Sequence, residues 1–483
     1  MGDKIPMKDV ASNDDASNKA KNDPALMFTG EEAIKSRDKI QVRAITGQFT
    51  KFRKMGGWLL FCLFFGTSWL NWNGHQAVLW DIPNRQFNIF GITLWPQDLM
   101  LLSMLLVICA FGLFAITMFA GRIWCGYTCP QTVWTFIFMW IEKQVEGDRN
   151  ARIKLDKQPF SPKKLGLRLT KHALWLLFAF ATAITFVGYF TPIRDLVVDI
   201  FTFNSDTSTL SWLGFFTVMT YLNAGWLREQ VCIYMCPYAR FQAVMFDKDT
   251  LIVSYDEERG ENRGPRKKTA DPKELGLGDC VDCSMCVQVC PVGIDIRDGL
   301  QYECIACAKC IEACDSIMDK VGYERGLISY TSEHQLKGNE WKLFRPRFIG
   351  YIIALIVMFS ALMYNLFTLI PVDLEVDRGR GANLFRENFK GDIENSYNIR
   401  VMNKSQHAET YVLSATGFEG LSVVGDTEIT LESGEISQVP VSVIVPVTNL
   451  ESRSEPIYFK VVAESDENIF AETESRFMGP RRR

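Results

Sequence analysis

Five apolar stretches interrupt an otherwise polar chain. They run from Gly57 to about Trp72 and over Leu99–Ala120, Ala173–Phe190, Leu210–Trp226 and Phe348–Ile370. A bilayer core takes roughly 20 residues of helix, and each stretch comes near that. The first and fourth are short and lean on interfacial tryptophans: Trp58, Trp69 and Trp72 in one, Trp212 and Trp226 in the other. The pattern predicts five membrane spans, with no Asp, Glu, Lys, Arg or His inside them, which argues against a transporter. Before the first span, residues 1–55 are polar; their first half reads as disordered and lacks the apolar core of a signal peptide.

Lys and Arg alternate from loop to loop. The tail carries Lys51, Arg53 and Lys54 beside the membrane, and the loop from Gly121 to Lys171 is strongly basic. The loops from Gly74 to Pro96 and from Thr191 to Thr209 hold only Arg85 and Arg194. The segment from Leu227 to Arg347 is basic again at both ends. By the positive-inside rule the N-terminus and the two long basic segments are cytoplasmic and the C-terminus is outside, in the periplasm if the membrane is a bacterial inner membrane.

After Pro371 the periodicity changes to short strand-like pieces: Tyr397–Val401, Thr410–Ser414, Glu428–Leu431, Val441–Val445 and Ile457–Val462. Strands at this spacing read as an immunoglobulin-like β-sandwich. Its His407 stands alone and suggests a surface role. The expected architecture is a multi-domain membrane protein: a polar tail (1–55), a four-helix membrane domain (56–246), a cytoplasmic ferredoxin-like domain (247–346), a fifth transmembrane helix (347–371) and a sandwich (372–483). The stretch from Asp247 to Asp279, polar and glycine-bearing, reads as a linker that lets the ferredoxin lobe fold back on the membrane face.

Composition changes this picture only through cysteine. A net charge of −4 points to no acidic or basic partner, and no recognition helix accompanies the basic loops, so no nucleic-acid partner is expected. There are 14 cysteines and none follows Cys314, the usage of a metal protein in a reducing compartment. Cys62 and Cys109 stand alone in apolar runs and read as small buried hydrophobes.

Eight cysteines form two runs of C-x-x-C-x-x-C-x-x-x-C, CVDCSMCVQVCP from Cys280 and CIACAKCIEAC from Cys304. This is the bacterial ferredoxin spacing, in which the fourth cysteine of each run serves the other [4Fe–4S] cluster. It assigns Cys280, Cys283, Cys286 and Cys314 to one cluster, and Cys304, Cys307, Cys310 and Cys290 to the second. Asp315 replaces the usual second proline and leaves the ligands intact. Zinc would want separate sets of four rather than interleaved ones.

Four more cysteines form a repeat, GRIWCGYTCPQTVW and REQVCIYMCPYARFQ, each with C-x-x-x-C-P after an apolar run. On one helix, positions i and i+4 face alike, so Cys125/Cys129 and Cys232/Cys236 each present two thiols. If the copies pack together the four make one soft site, suited to copper(I), zinc or an iron–sulfur centre, with Met235 as a possible thioether. Arg122 and Arg228 nearby are expected to lower the thiol pKa values, and Pro130 and Pro237 to bend the chain.

These motifs, the tail CDSIMDKVGYERGLISY from Cys314 and the sandwich end resemble the FixG/RdxA/CcoG family, the membrane iron–sulfur accessory proteins of cbb-type cytochrome oxidase. The resemblance spans nearly the whole chain except the N-terminus. It implies a cupric reductase that turns Cu(II) to Cu(I) for oxidase assembly, with two [4Fe–4S] clusters as donors and copper held by Cys125, Cys129, Cys232 and Cys236. It further implies copper chaperones and oxidase assembly factors as partners, a cytoplasmic electron donor or quinol, and a homodimer. The paired cysteines are also similar to those of quinol-oxidising iron–sulfur subunits, so a quinol-to-cluster relay is one alternative. A non-catalytic redox-sensing scaffold is another. His172, at the mouth of the third run, reads as an interfacial polar residue rather than a ligand or quinone contact.

Overall fold

The computed structural model describes residues 40–480 except 73–74, 84, 267–274, 369, 379–384, 406 and 451. Most of the expected polar tail and the middle of the expected linker lie outside these residues.

Among the described residues three helices are long and apolar enough to cross a membrane: Leu99–Ala120, Pro162–Val187 and Pro346–Phe367. The other two runs fall short for separate reasons. The first lies in the helix Gln48–Thr67, whose opening turns carry Lys51, Arg53 and Lys54. The chain then leaves the helix, and Trp72 enters a strand paired with His75–Gln76. The fourth is α-helical only over Thr207–Thr220 and continues as a wider π-helix, Tyr221–Leu227. The third helix begins eleven positions before the apolar run, at Pro162, so Lys171 and His172 lie within it. The basic loop before it is itself helical over Pro130–Glu146 and Arg149–Lys157. Cys62 and Cys109 are exposed on apolar helix faces rather than buried.

Two compact units are present. One holds residues up to Thr67, Leu106–Val187 and Ile193–Phe359. Within it, the antiparallel strands Ile252–Tyr255 and Ile328–Thr331 close a small lobe containing the helices Met285–Val289 and Lys309–Val321. The segment expected as a linker is thus largely structure. Its start is fixed where Asp247 pairs with Arg345, at the far end of the lobe. Arg345 and Thr250 both donate to the Met118 carbonyl. Gly278 lies so close to the backbone of Gly260 and Glu261 that no Cβ fits there.

The other unit holds Ser68–Leu105, Gly188–Pro192 and Ser360 onward. All five expected strand pieces are strands, within Ile393–Asn403, Glu409–Thr416, Glu428–Leu431, Ile436–Val445 and Ser454–Ala463. One sheet runs Ser422–Val424, Ile436–Val445, Ile393–Asn403, Val372–Arg378, with Arg386–Glu387 also on the third strand. The other runs Glu428–Leu431, Glu409–Thr416, Ser454–Ala463, Phe470–Met478. Alternate residues face inward, as pleating requires, so Tyr397, Ile399, Val401, Tyr411, Val443, Phe459 and Val461 form one buried core. His407 is exposed, as expected. The loop after the first helix adds a three-stranded sheet, Val78–Asp81, Gln86–Ile89 and Ile92–Leu94. Its Gln86 donates to the Gly434 carbonyl at 2.8 Å. Asp98 pairs with Lys404 at 3.1 Å.

Candidate redox site

The ferredoxin-type runs repeat in backbone as well as in sequence. Asp282 and Ser284 flank Cys283 with φ of 49° and 52°, and Ala306 and Ala308 flank Cys307 with φ of 50° and 58°. A left-handed residue on each side of the middle cysteine curls the loop into a concave turn, whose N–H groups favour negative charge in the hollow. The interleaving follows. Cys314 lies in the electrostatic neighbourhood of Cys286, Cys280 and Cys283. Cys290 lies in that of Cys307 and Cys304.

Both groups are sunk in apolar surroundings that include Ile296, Ile311 and Val253 on one side and Val292, Ile294 and Ile305 on the other. Burial pushes Cys286, Cys290 and Cys314 up to about 12, with neighbouring thiols adding to the rise. Burial raises Cys310 well above the ordinary thiol range too. Such thiols give up their protons only to a centre that takes the charge. Among the described residues no three His, Cys, Asp or Glu side chains converge on a point for one ion. This holds for every cysteine group of the chain's described residues; a tetranuclear cluster is wider than an ion, and the two interleaved sets of four fit clusters.

The C-x-x-x-C-P copies depart from expectation in geometry. Neither lies on one continuous helix. Cys125 sits in the short helix Ile123–Tyr127, and Cys129 then turns extended as the N-cap of Pro130–Glu146. Cys232 sits in the π-turn Val231–Met235, and Cys236 is the extended N-cap of Pro237–Met245. The prolines take the first helical position, where a missing N–H costs nothing, so they start helices rather than bend them. Cys129 and Cys236 therefore each stand at the positive end of a helix.

The two pairs are neighbours: Cys232 lies in the electrostatic neighbourhood of Cys129, Cys125 and Cys236, though no three of the four thiols converge on a point for one ion. Burial pushes Cys125 and Cys232 up to about 12, the other thiols add to it, and Arg122 only partly opposes it. The expected lowering by arginine is thus outweighed. Arg228 does not act on the thiols directly. Its guanidinium goes to Glu142 at 2.9 Å. The Cys125 thiol donates to Gln242 Oε1 at 3.5 Å, and Gln242, fully buried, donates to Thr117.

The first pair is pressed onto the cysteine lobe. Cys125 packs against the buried cluster of Val292, Ile294, Ile305 and Cys307. A Cβ on Gly126 would stand 2.6 Å from the Ile305 carbonyl and 3.0 Å from the Cys307 Cα. Arg122 donates to the Tyr302 carbonyl at 2.5 Å and lies over its ring, and it also bonds the Ala239 carbonyl beside the second pair. Arg53 donates to the Cys307 carbonyl at 2.5 Å. Glu312 accepts from the Thr50 N–H at 2.7 Å and from its hydroxyl.

Behind the pairs lies a buried charge network. Glu142 meets Arg152 at 3.1 Å, Arg228 at 2.9 Å and Lys171 at 3.7 Å, and Glu146 meets Lys171 at 2.8 Å. Arg228 itself has φ 46°, between the two π-helical turns. Sequence reasoning passed over Gly126, Arg53, Glu312 and Glu142. Only Glu142 carried a signal, as one of two glutamates four apart on an apolar helix. His172 joins neither cysteine pair; its Nδ1 meets the Tyr221 hydroxyl at 2.7 Å.

Comparison with known proteins adds three domain matches. Residues 227–333 match a 4Fe-4S dicluster domain, and residues 102–145 match a 4Fe-4S binding domain. Residues 362–480 match the Ig-like fold at the C-terminus of FixG. The chain is 41% identical over 390 residues to Protein RdxB of Cereibacter sphaeroides, covering 77% of this chain and 81% of that one. It is 35% identical over 474 residues to the nitrogen fixation protein FixG of Rhizobium meliloti, covering 89% and 90%. A solved FixG-related protein from Vibrio parahaemolyticus matches at 31% identity and TM-score 0.21, covering 23% of this chain and 97% of that one.

Proposed function

The chain belongs to the FixG/RdxA family of iron–sulfur proteins, and from that premise we propose that this electron-transfer oxidoreductase reduces Cu(II) to Cu(I) for assembly of a cbb-type oxidase. The observation that carries the reading is the seating of Cys125 and Gly126 on the Ile305–Cys307 backbone. It sets Cys125, one of the four thiols, against the part of the ferredoxin lobe that carries Cys307.

In this reading Cys280, Cys283, Cys286 and Cys314 hold one [4Fe–4S] cluster and Cys304, Cys307, Cys310 and Cys290 the other. Each cluster, when bound, supplies one electron at a time. The protein's own residues do the rest. Cys125, Cys129, Cys232 and Cys236 bind the copper substrate and release protons as they do so. Four thiolates favour the softer Cu(I) over Cu(II), which draws the single electron toward the metal. Arg122 bridges the lobe and the second pair, holding the two centres in register. Three of the five apolar runs are long enough to cross the bilayer. The bonds of Gln86 and Asp98 to the sandwich support one shared side for the first loop and the C-terminal domain, taken here as periplasmic. The contacts of Arg53 and Arg122 support a common, cytoplasmic side for both cysteine pairs and the lobe. Copper chaperones receiving Cu(I), and a second copy of the chain, are the expected partners.

The test is anaerobic. Protein is reduced, freed of reductant and mixed with Cu(II), while cluster absorbance and chelator-trapped Cu(I) are followed. Stoichiometric Cu(I), lost in a Cys232→Ser/Cys236→Ser variant that keeps its clusters, supports the proposal. Clusters that stay reduced beside Cu(II) reject it. The 102–145 match favours one other reading, a third cluster on the four thiols. Iron analysis separates the two: about eight irons per chain for two clusters, about twelve for three.

A further inference from the structure

A cavity of about 630 Å³ opens between the Gln48–Thr67 and Pro130–Glu146 helices, roofed by residues 42–46. Its lining combines two chemistries. Trp58, Phe61, Phe136 and Trp140 are aromatic, and Arg43, Arg53, Lys54 and Lys309 are cationic. The remaining charges on the wall are ion-paired: Lys143 with Asp148 at 3.4 Å, and Arg152 at 3.1 Å with Glu142, which Arg228 and Lys171 share. Among the described residues none of the four lining cations has a carboxylate within ion-pair distance. Arg43 and Lys54 are exposed at the mouth, but Arg53 is only 6% exposed. Arg53 and Lys309 both lie over the Phe136 ring, at 5.2 and 4.4 Å.

Arg53 reaches the Glu312 carboxylate only through the Thr50 hydroxyl, and a buried guanidinium without a directly paired counter-charge is costly. Four cations lining a partly aromatic cleft ask for an anion that carries its own apolar body. A neutral amphiphile such as a quinone would leave the charge uncompensated. A free phosphate would leave the aromatic residues bare. Basic pockets between membrane helices are suited to acidic lipid head groups, and tryptophans such as Trp58 and Trp140 suit the depth at which head group meets acyl chain.

We propose that this cavity binds one acidic phospholipid, its phosphate among Arg43, Arg53, Lys54 and Lys309 and its acyl chains along Trp58, Phe61 and Trp140. The lipid then ties the first helix to the cysteine lobe, because Arg53 already bonds the Cys307 carbonyl. The experiment needs no redox assay, so it stands apart from the copper reading. Detergent-purified full-length protein is delipidated and transferred to nanodiscs of phosphatidylglycerol or of phosphatidylcholine. Lipid retained after return to detergent is counted by native mass spectrometry, and unfolding temperature is recorded. The expected result is one phosphatidylglycerol held at least tenfold over phosphatidylcholine, with a higher unfolding temperature. An Arg43→Gln/Lys54→Gln variant, altered only at exposed side chains, should lose that preference by tenfold or more. Lys143→Gln, whose charge is already paired, should keep it. Equal retention of the two lipids overturns the proposal, as does displacement of phosphatidylglycerol by added quinone or by inorganic phosphate.

Discussion

Replacing Gly126 with alanine should separate the four-thiol site from the ferredoxin lobe. The new Cβ would lie 2.6 Å from the Ile305 carbonyl oxygen, 3.0 Å from the Ala306 oxygen and 3.0 Å from the Cys307 Cα. Ordinary contact begins near 3.4 Å, so the backbones must part by 3.4 − 2.6 = 0.8 Å. All three obstacles are main-chain atoms, and no side-chain rotation relieves them. Overpacking of this kind costs about 1–3 kcal/mol, a factor of roughly 5–150 in the population of the seated state. Electron transfer to copper should fall by a comparable factor, while eight-cysteine cluster content is kept, because all eight cysteines, Cys307 included, belong to the lobe and shift with it. The assay is anaerobic stopped-flow mixing with Cu(II), reading cluster bleaching and Cu(I) together, beside thermal unfolding. Gly112→Ala is the control, since nothing lies within 4 Å of its Cβ position. A Gly126→Ala protein with wild-type rate and unfolding temperature would refute the contact as the electron route.

Three further outcomes are expected. Arg228→Gln leaves Glu142 with fewer charges in a buried network and should cost about 3–5 kcal/mol in denaturant unfolding, with Arg228→Lys a poor rescue because the arginine Nε also donates to the Gly225 carbonyl. Glu312→Gln weakens the bonds from the Thr50 N–H and hydroxyl and should cost about 1–3 kcal/mol, read as faster hydrogen exchange at residues 47–53. Acid sensitivity should track Asp295: burial alone would raise its carboxyl, but hydrogen bonds from Arg297 outweigh that and hold it below the ordinary range. A carboxyl depressed in the folded state stabilises above its unfolded pKa, and that contribution is lost as pH falls through the folded value. Arg297→Gln should therefore move acid bleaching of the clusters to higher pH, and an unchanged midpoint would count against the pairing.

What could be read from the sequence was what repeats locally. The ferredoxin spacing announces its own ligand sets, and alternation from Tyr397 to Val401 announces a strand. Four strands of the sandwich were hidden. Val372–Arg378 and Phe470–Met478 lie at sheet edges, where every second residue is charged, as edge strands are; Arg386–Glu387 and Ser422–Val424 are too short to signal. Helix starts were displaced because Lys163, Lys164 and Arg168 are good helix formers that an apolar window excludes. The seating of Gly126 on Ile305, the Arg53–Cys307 bond and the Arg228–Glu142 pair join residues 86 to 254 positions apart. No local pattern encodes such pairs.

The two C-x-x-x-C-P copies, alike in sequence, are mechanically unlike. Cys125 is held against the cysteine lobe, and Cys129 opens a 17-residue helix. Cys232 rides on a five-residue π-turn entered through the left-handed Arg228, and its neighbours Tyr234 and Met235 are exposed. Together they form a vice with one jaw bolted to the electron source and the other mounted on an adjustable screw. Under the copper reading, an ion held between them would be reduced at the fixed jaw and let go by the other, so substitutions around Arg228 should alter how long the product stays, and substitutions around Gly126 how fast it is made.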